Sequence, residues 1–152
     1  MKKEVPVTIK TIVPTPTGCG VFLTDGAKVI AIFVDHSVAA AITMAMHEVR
    51  KPRPLTHDLM FNILSGLDVI LQKVVINDLK EDTYFARLFL SQQLETGKNM
   101  LEIDARPSDS IALALLYRAP LFITEDVLAR ADDMSWALEQ QKPDDGEPGS
   151  PG

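Results

Sequence analysis

The apolar residues of this chain change their spacing in blocks, and that alternation limits the folds open to it. From Val5 to Val13 apolar and polar residues alternate, the spacing of a half-buried strand with successive side chains on opposite faces. Residues 21–23 and 29–34 flank Asp25-Gly26, a pair that tolerates positive φ, so a hairpin is expected there. After Asp35 the spacing turns helical. Val38, Ala39, Ile42, Ala45, Met46 and Val49 recur at three and four, with Ser37 as the expected N-cap and Pro52 as the limit. A second helical stripe, Leu59, Met60, Ile63, Leu64 and Leu67, follows Pro54-Leu55-Thr56 and exits at Gly66. Strand spacing returns over 69–79, 84–90 and 100–104. Residues 109–117, rich in Ala and Leu, predict a third helix, then come a short extended stretch at 120–123 and a small helix capped at Thr124-Glu125-Asp126.

Strands in runs followed by helices in runs define an α+β fold, with mixed or antiparallel sheets and helices packed on them. A displacement of 71 residues lays Val38-Ala39-Ala40-Ala41-Ile42 over Asp109-Ser110-Ile111-Ala112-Leu113. That overlay suggests a βββα unit present twice, wrapped as two sheet halves around one core. The chain of 152 residues is long enough for one such core. Residues 1–130 are expected to form the domain and 131–152 an acidic tail rich in Pro and Gly, disordered from Lys142 onward.

Charge and cysteine content narrow the function. Five acids and one base lie within 133–152, so most of the net charge of -6 sits in the tail and the body is close to neutral. Non-specific grip on a polyanion usually shows a basic excess. Any nucleic-acid activity must therefore rest on a small local site. No apolar run approaches the ~20 residues of a membrane-spanning helix, and the basic start Met1-Lys2-Lys3 is not followed by the apolar middle of a secretory signal. A cytoplasmic location is expected. The lone Cys19 has no disulfide partner in the chain and rules out a Cys-based zinc cage.

Two segments share a form: Arg53-Pro54-Leu55-Thr56-His57-Asp58 and Arg106-Pro107-Ser108-Asp109. Each sets Arg-Pro before a hydroxyl residue and then an acid, at a predicted helix start. Capping alone accounts for much of this, because proline suits the first turn, Thr56 and Ser108 can satisfy orphan N–H groups, and acids favour the positive end of the helix dipole. The chemical reading takes the segments together. Cleavage of a phosphodiester needs carboxylates to hold a divalent ion or activate water, and cationic or amide donors for charge developing on phosphate. Asp58, Asp104 and Asp109 supply the first, Arg53, Arg106 and the helix-start N–H groups the second, and His57 a general base or acid. His36 and His47 are too far apart along one helix to share a metal and fit capping and surface roles. Glu102 and Asp104 share one face of a short strand, where solvent is the ordinary neighbour and an ion the sharper one. Phe22, Phe33, Phe61, Phe85 and Phe89 lie in apolar patterns and are assigned to the core. An exposed apolar strand edge would favour a homodimer.

Pro52-Arg53-Pro54-Leu55-Thr56-His57-Asp58-Leu59 and the run from Ile103 to Ala114 resemble the two signatures of the bifunctional nuclease family, small bacterial domains also found in plants. Tyr84-Phe85-Ala86 and Ala119-Pro120-Leu121-Phe122-Ile123 extend the likeness to about residues 5–130. The resemblance implies an α+β domain and nuclease activity on DNA and RNA; from the chemical reading above, the expected site is Arg53, His57, Asp58, Asp104, Arg106 and Asp109, with magnesium or manganese as the expected ion. Two positions depart from the family pattern. Val38-Ala39 stands where Glu-Ala is usual, and Ser110 follows Asp109 where alanine is usual. The alternative function is a non-catalytic binding or regulatory domain in which both Arg-Pro motifs are helix caps and an interface.

Overall fold

The structure, a computed structural model, describes residues 2–140. In chain order its elements are β1 (Glu4–Thr15), β2 (Gly18–Thr24), β3 (Val29–Asp35), α1 (His36–Met46), α2 (Thr56–Gly66), β4 (Val69–Lys80), β5 (Thr83–Leu94), β6 (Gly97–Ala105), α3 (Pro107–Tyr117), β7 (Leu121–Thr124), α4 (Glu125–Arg130) and α5 (Ser135–Gln140). The fold is α+β. Seven strands form one sheet in the order β3-β2-β1-β7-β4-β5-β6. Neighbours are antiparallel except β4 and β7, which run parallel. β7 joins two three-stranded meanders into a continuous sheet. The expected repeat is not established. The meanders are followed by different helical segments, α1 and α2 after the first and α3 after the second.

Alternation explains the layering of the first meander. Val21 and Leu23 of β2 and Ile30, Ile32 and Val34 of β3 join the main core, while Phe22, Val29 and Ala31 point the other way. At the β2–β3 turn Asp25 accepts the N–H groups of Ala27 and Lys28, and Gly26 takes φ 106°, as the Asp-Gly pair predicts. α3 is buried along nearly its whole length, from Pro107 through Ala114 with Asp109 as the break, and packs against α1, α2, β3, β4 and β5. Small Ser and Ala side chains permit that close approach. Cys19 is buried in the same core, and burial pushes its thiol pKa up.

Four local expectations need correction. Asp35, not Ser37, caps α1: its carboxylate accepts the Val38 N–H at 3.1 Å, and Ser37 donates its hydroxyl to that same carboxylate. α1 stops at Met46 because Glu48 turns into the left-handed region, so Val49 lies outside it, half exposed. In α2 the stripe Leu59, Ile63 and Leu67 faces away from the core, and the one buried residue of the helix is His57. The folded part also continues past 130. Ala131 is buried, the Met134 N–H donates to the Val29 carbonyl at 2.7 Å, and Met134, Ala137 and Leu138 pack over Phe22, Val29 and Ala31. The tail expected at 142–152 lies outside the described residues. Among the described residues no helix is long and apolar enough to cross a membrane.

Candidate active site

The starts of α1, α2 and α3 meet. Ser37 and Val38 from the first, Leu55, Thr56 and His57 from the second, and Arg106 and Asp109 from the third line one cleft of about 650 Å³. α1 brings its N-terminus there because β3 ends at Asp35, which is both the last strand residue and the helix cap. α3 arrives by the same device, with β6 ending at Ala105 and Arg106 the one residue between strand and helix. α2 is drawn in by its side chain at position 57.

His57 Nε2 lies 2.8 Å from Asp109 Oδ1, across 52 residues of sequence. Arg106 Nε donates to the other oxygen, Asp109 Oδ2, also at 2.8 Å, and its Nη1 lies 4.0 Å from Asp35 Oδ2. The imidazole is nearly buried, the carboxylate partly so, and the guanidinium mostly exposed. Burial pushes the Asp109 carboxyl up, but hydrogen bonds and charge from Arg106 and His57 outweigh it and hold its pKa below the usual range. The Asp109 hydrogen bond raises the Arg106 pKa further above its high ordinary value, so the guanidinium stays charged. A carboxylate on Nε2 favours the tautomer with its proton there, leaving Nδ1 as acceptor.

The six residues expected at the site separate into two groups. His57, Asp109 and Arg106 form the cluster. Asp58 points elsewhere: it accepts the Leu55 N–H at 2.8 Å and Lys51 Nζ at 2.9 Å, closing the first turn of α2. Burial pushes the Asp58 carboxyl up, and Lys51 and the Leu55 amide bring it below its usual value. Arg53 is exposed and, among the described residues, forms no ion pair. Asp104 is exposed on β6, opposite Arg87 in the strand register, with no bond to the cluster. Neither Thr56 nor Ser108 caps its helix, because the caps are Leu55 and Arg106 and both hydroxyl residues lie inside the first turn. Asp35 is a site neighbour that the motifs did not reveal, and Lys51 is the unforeseen partner that draws Asp58 away from the cluster. An acid just before a helical stripe is an N-cap signal that could have found Asp35; Lys51 carries no such signal.

The donor set does not fit the expected magnesium or manganese ion. Among the described residues no three His, Cys, Asp or Glu side chains are grouped to hold one. The carboxylates nearby are spoken for, Asp109 by His57 and Arg106, Asp58 by Lys51 and an amide, Asp35 by Ser37 and an amide. Val38, at the departure from the family pattern, is buried at 4% exposure and contributes an apolar wall where a glutamate would have added a carboxylate.

Fold and site together define an α+β domain with a His–Asp–Arg cluster at three converging helix starts. Residues 21–135 match the bifunctional nuclease domain, and the chain belongs to that family. An uncharacterized protein of Mycobacterium tuberculosis is 38% identical over 107 residues, 70% of this chain and 61% of that protein. Bifunctional nuclease 1 of Oryza sativa subsp. japonica is 22% identical over 104 residues, 68% of this chain and 31% of the rice protein. The chain thus spans less than two thirds of the length of either relative.

Proposed function

We propose that this domain hydrolyses phosphodiester bonds of DNA or RNA at the His57–Asp109–Arg106 cluster. The observation that supports it is the 2.8 Å His57–Asp109 bond between two helix starts, with a charged arginine on the same carboxylate. Asp109 orients the imidazole and stabilises it when it takes a proton. His57 Nδ1 removes a proton from the attacking water as the new P–O bond forms. The P–O bond to the departing sugar oxygen breaks on the opposite side of phosphorus; that oxygen takes its proton from solvent, and the imidazolium gives its own back to solvent. Arg106 and the first-turn N–H groups of α2 and α3 face the negative charge that grows on phosphate. No step requires Asp58, Asp104 or Arg53. The near-neutral body agrees with a compact site of this kind rather than a broad basic surface. The rice relative bears the name of a nuclease, and family membership supports the same activity here.

The test uses purified protein on short single-stranded DNA and RNA. His57→Gln is expected to slow cleavage by about 10²-fold or more, the usual worth of a general base. Unchanged cleavage in that variant would refute the assignment. A second reading rests on α2, whose one buried residue is His57. There the His57–Asp109 pair is a brace that pins α2 to α3 in a non-catalytic binding domain. Cleavage by neither wild type nor variant, with a lowered melting temperature for His57→Gln, would favour that reading.

A further inference from the structure

Phe33 is assigned to the core by its apolar run, yet its exposure is 66%, the highest of the six phenylalanines. Its place on the sheet explains how it is held. Phe33 pairs in register with Gly20 of β2, and its ring comes within 3.2 Å of where a Cβ at position 20 would stand. The glycine lets the ring settle on the strand while most of its surface stays open. β3 is also an edge strand: Asp133 and Met134 take the outer N–H and C=O of Val29, and beyond it the outer backbone groups have no strand partner. Together these features border a second cleft of about 740 Å³, which Tyr84, Asp82 and Asp132 also line. That volume lies within the roughly 300–1,000 Å³ of small-ligand sites. One residue, Arg106, lines both this cleft and the His57 cleft.

We propose that the Phe33 cleft is the base subsite of the domain: it takes the nucleobase of a single-stranded nucleotide whose phosphate is held by Arg106. The proposal rests on the nuclease reading for its substrate class. Every base offers a π-face to an open aromatic ring, so stacking on Phe33 asks for no sequence. The free edge carbonyls of β3 and the carboxylates of Asp82 and Asp132 can accept hydrogen bonds from the exocyclic amines of adenine or cytosine. Arg106 then bridges the two clefts, keeping Nε on Asp109 while its exposed Nη groups reach phosphate. A base seated at Phe33 thus leaves its phosphate to Arg106, the residue common to both clefts.

Calorimetric titration of the full chain with adenosine 5′-monophosphate and with inorganic phosphate tests this. The nucleotide is expected to bind at least ~10-fold tighter than phosphate, the difference being one base–aromatic stack. Phe33→Ala, at an exposed position, should remove that advantage and leave phosphate binding unchanged. Phe33→Trp should keep it, and Arg106→Gln should weaken both ligands. Equal binding of the two ligands, binding of neither, or full nucleotide affinity in Phe33→Ala would overturn the base subsite. The nuclease reading fails separately. Cleavage that survives His57→Gln, alongside Phe33-dependent nucleotide binding, would reject the catalytic assignment and leave a nucleotide-binding cleft.

Discussion

Asp109→Asn separates the structural part of the site from its chemical part, because asparagine keeps the shape of the side chain and removes its charge. Asp109 accepts two bonds of 2.8 Å, one from His57 and one from Arg106. The Arg106 side chain is 62% exposed, so its pair contributes only about 0–1 kcal/mol. The nearly buried His57 bond to a carboxylate contributes about 1.5–3 kcal/mol. Asparagine can still accept from Nε2 but without charge, and neutral bonds have about half the strength. The expected net loss is therefore about 1–2 kcal/mol, or about 2–8 °C in melting temperature for a domain of this size. Its pH dependence has a definite sign. A carboxylate held below its usual pKa contributes stability above the unfolded value of about 3.9, and loses it as pH falls through the lower folded value. Thermal melts by circular dichroism should show the full difference between wild type and variant at pH 7 and a shrinking one below about pH 4. At pH 7 cleavage should slow by about 10²–10⁴-fold, because the imidazole loses the partner that fixes its tautomer. A melting difference that stays constant into acid, or no difference at all, would refute the account of Asp109 as an ionised acceptor.

Three further outcomes follow from the same geometry. Gly18→Ala would place its Cβ 1.9 Å from the Val34 carbonyl oxygen and 2.7 Å from the Asp35 carbonyl carbon, both backbone atoms. Equilibrium denaturation should show a loss of about 2–3 kcal/mol or more, and wild-type stability would show that β2 and β3 do not pair as described. Val38→Glu would bury a carboxylate in a wall shared with Asp109, which should raise its pKa. Its destabilisation should be small near pH 5 and grow toward pH 8 in denaturant titrations, and a loss independent of pH would refute this. Leu59, Ile63 and Leu67 are each more than half exposed along α2, whose sole acid, Asp58, is paired with Lys51. An uncharged helix face can pack against its own copy without like charges meeting, so sedimentation should show a homodimer for wild type and a monomer for Leu59→Asp with Ile63→Asp. A monomeric wild type at tens of micromolar would reject it.

The fold was legible wherever one local rule had no competitor. Alternating spacing located both meanders, and the Asp25-Gly26 turn fell where its residues tolerate the required backbone angles. Helical spacing located α1, α2 and α3 but could not say which side each helix buries. In α2 the apolar stripe matches the buried face only in part: Leu64 packs on the core, but Leu59, Ile63 and Leu67 point outward while the polar His57 is covered. That inversion depends on Asp109 and on Phe61 stacking against Tyr117 at 4.5 Å, both contacts with α3. No pattern within α2 encodes them.

The candidate site divides along the same line. Each Arg-Pro segment was visible because proline, arginine and a first-turn acid are local signals, but the two acids were indistinguishable by sequence. Asp58 and Asp109 both sit at the third position of their helices, and their partners give them different work. Asp58 meets Lys51, seven residues away, and closes its own turn; Asp109 meets His57, 52 residues away, and joins two helices. The local partner makes a cap and the distant one joins two helix starts. The same reasoning accounts for Phe33, which belongs to an unbroken apolar run but shares the outer face of Phe22, Val29 and Ala31, where Met134, Ala137 and Leu138 cover those three and leave Phe33 exposed. At the sheet edge, over a glycine, it becomes an open aromatic surface beside the arginine that both clefts share. The reach of the 134–138 segment over that face, which the residues of β3 do not contain, decides that outcome.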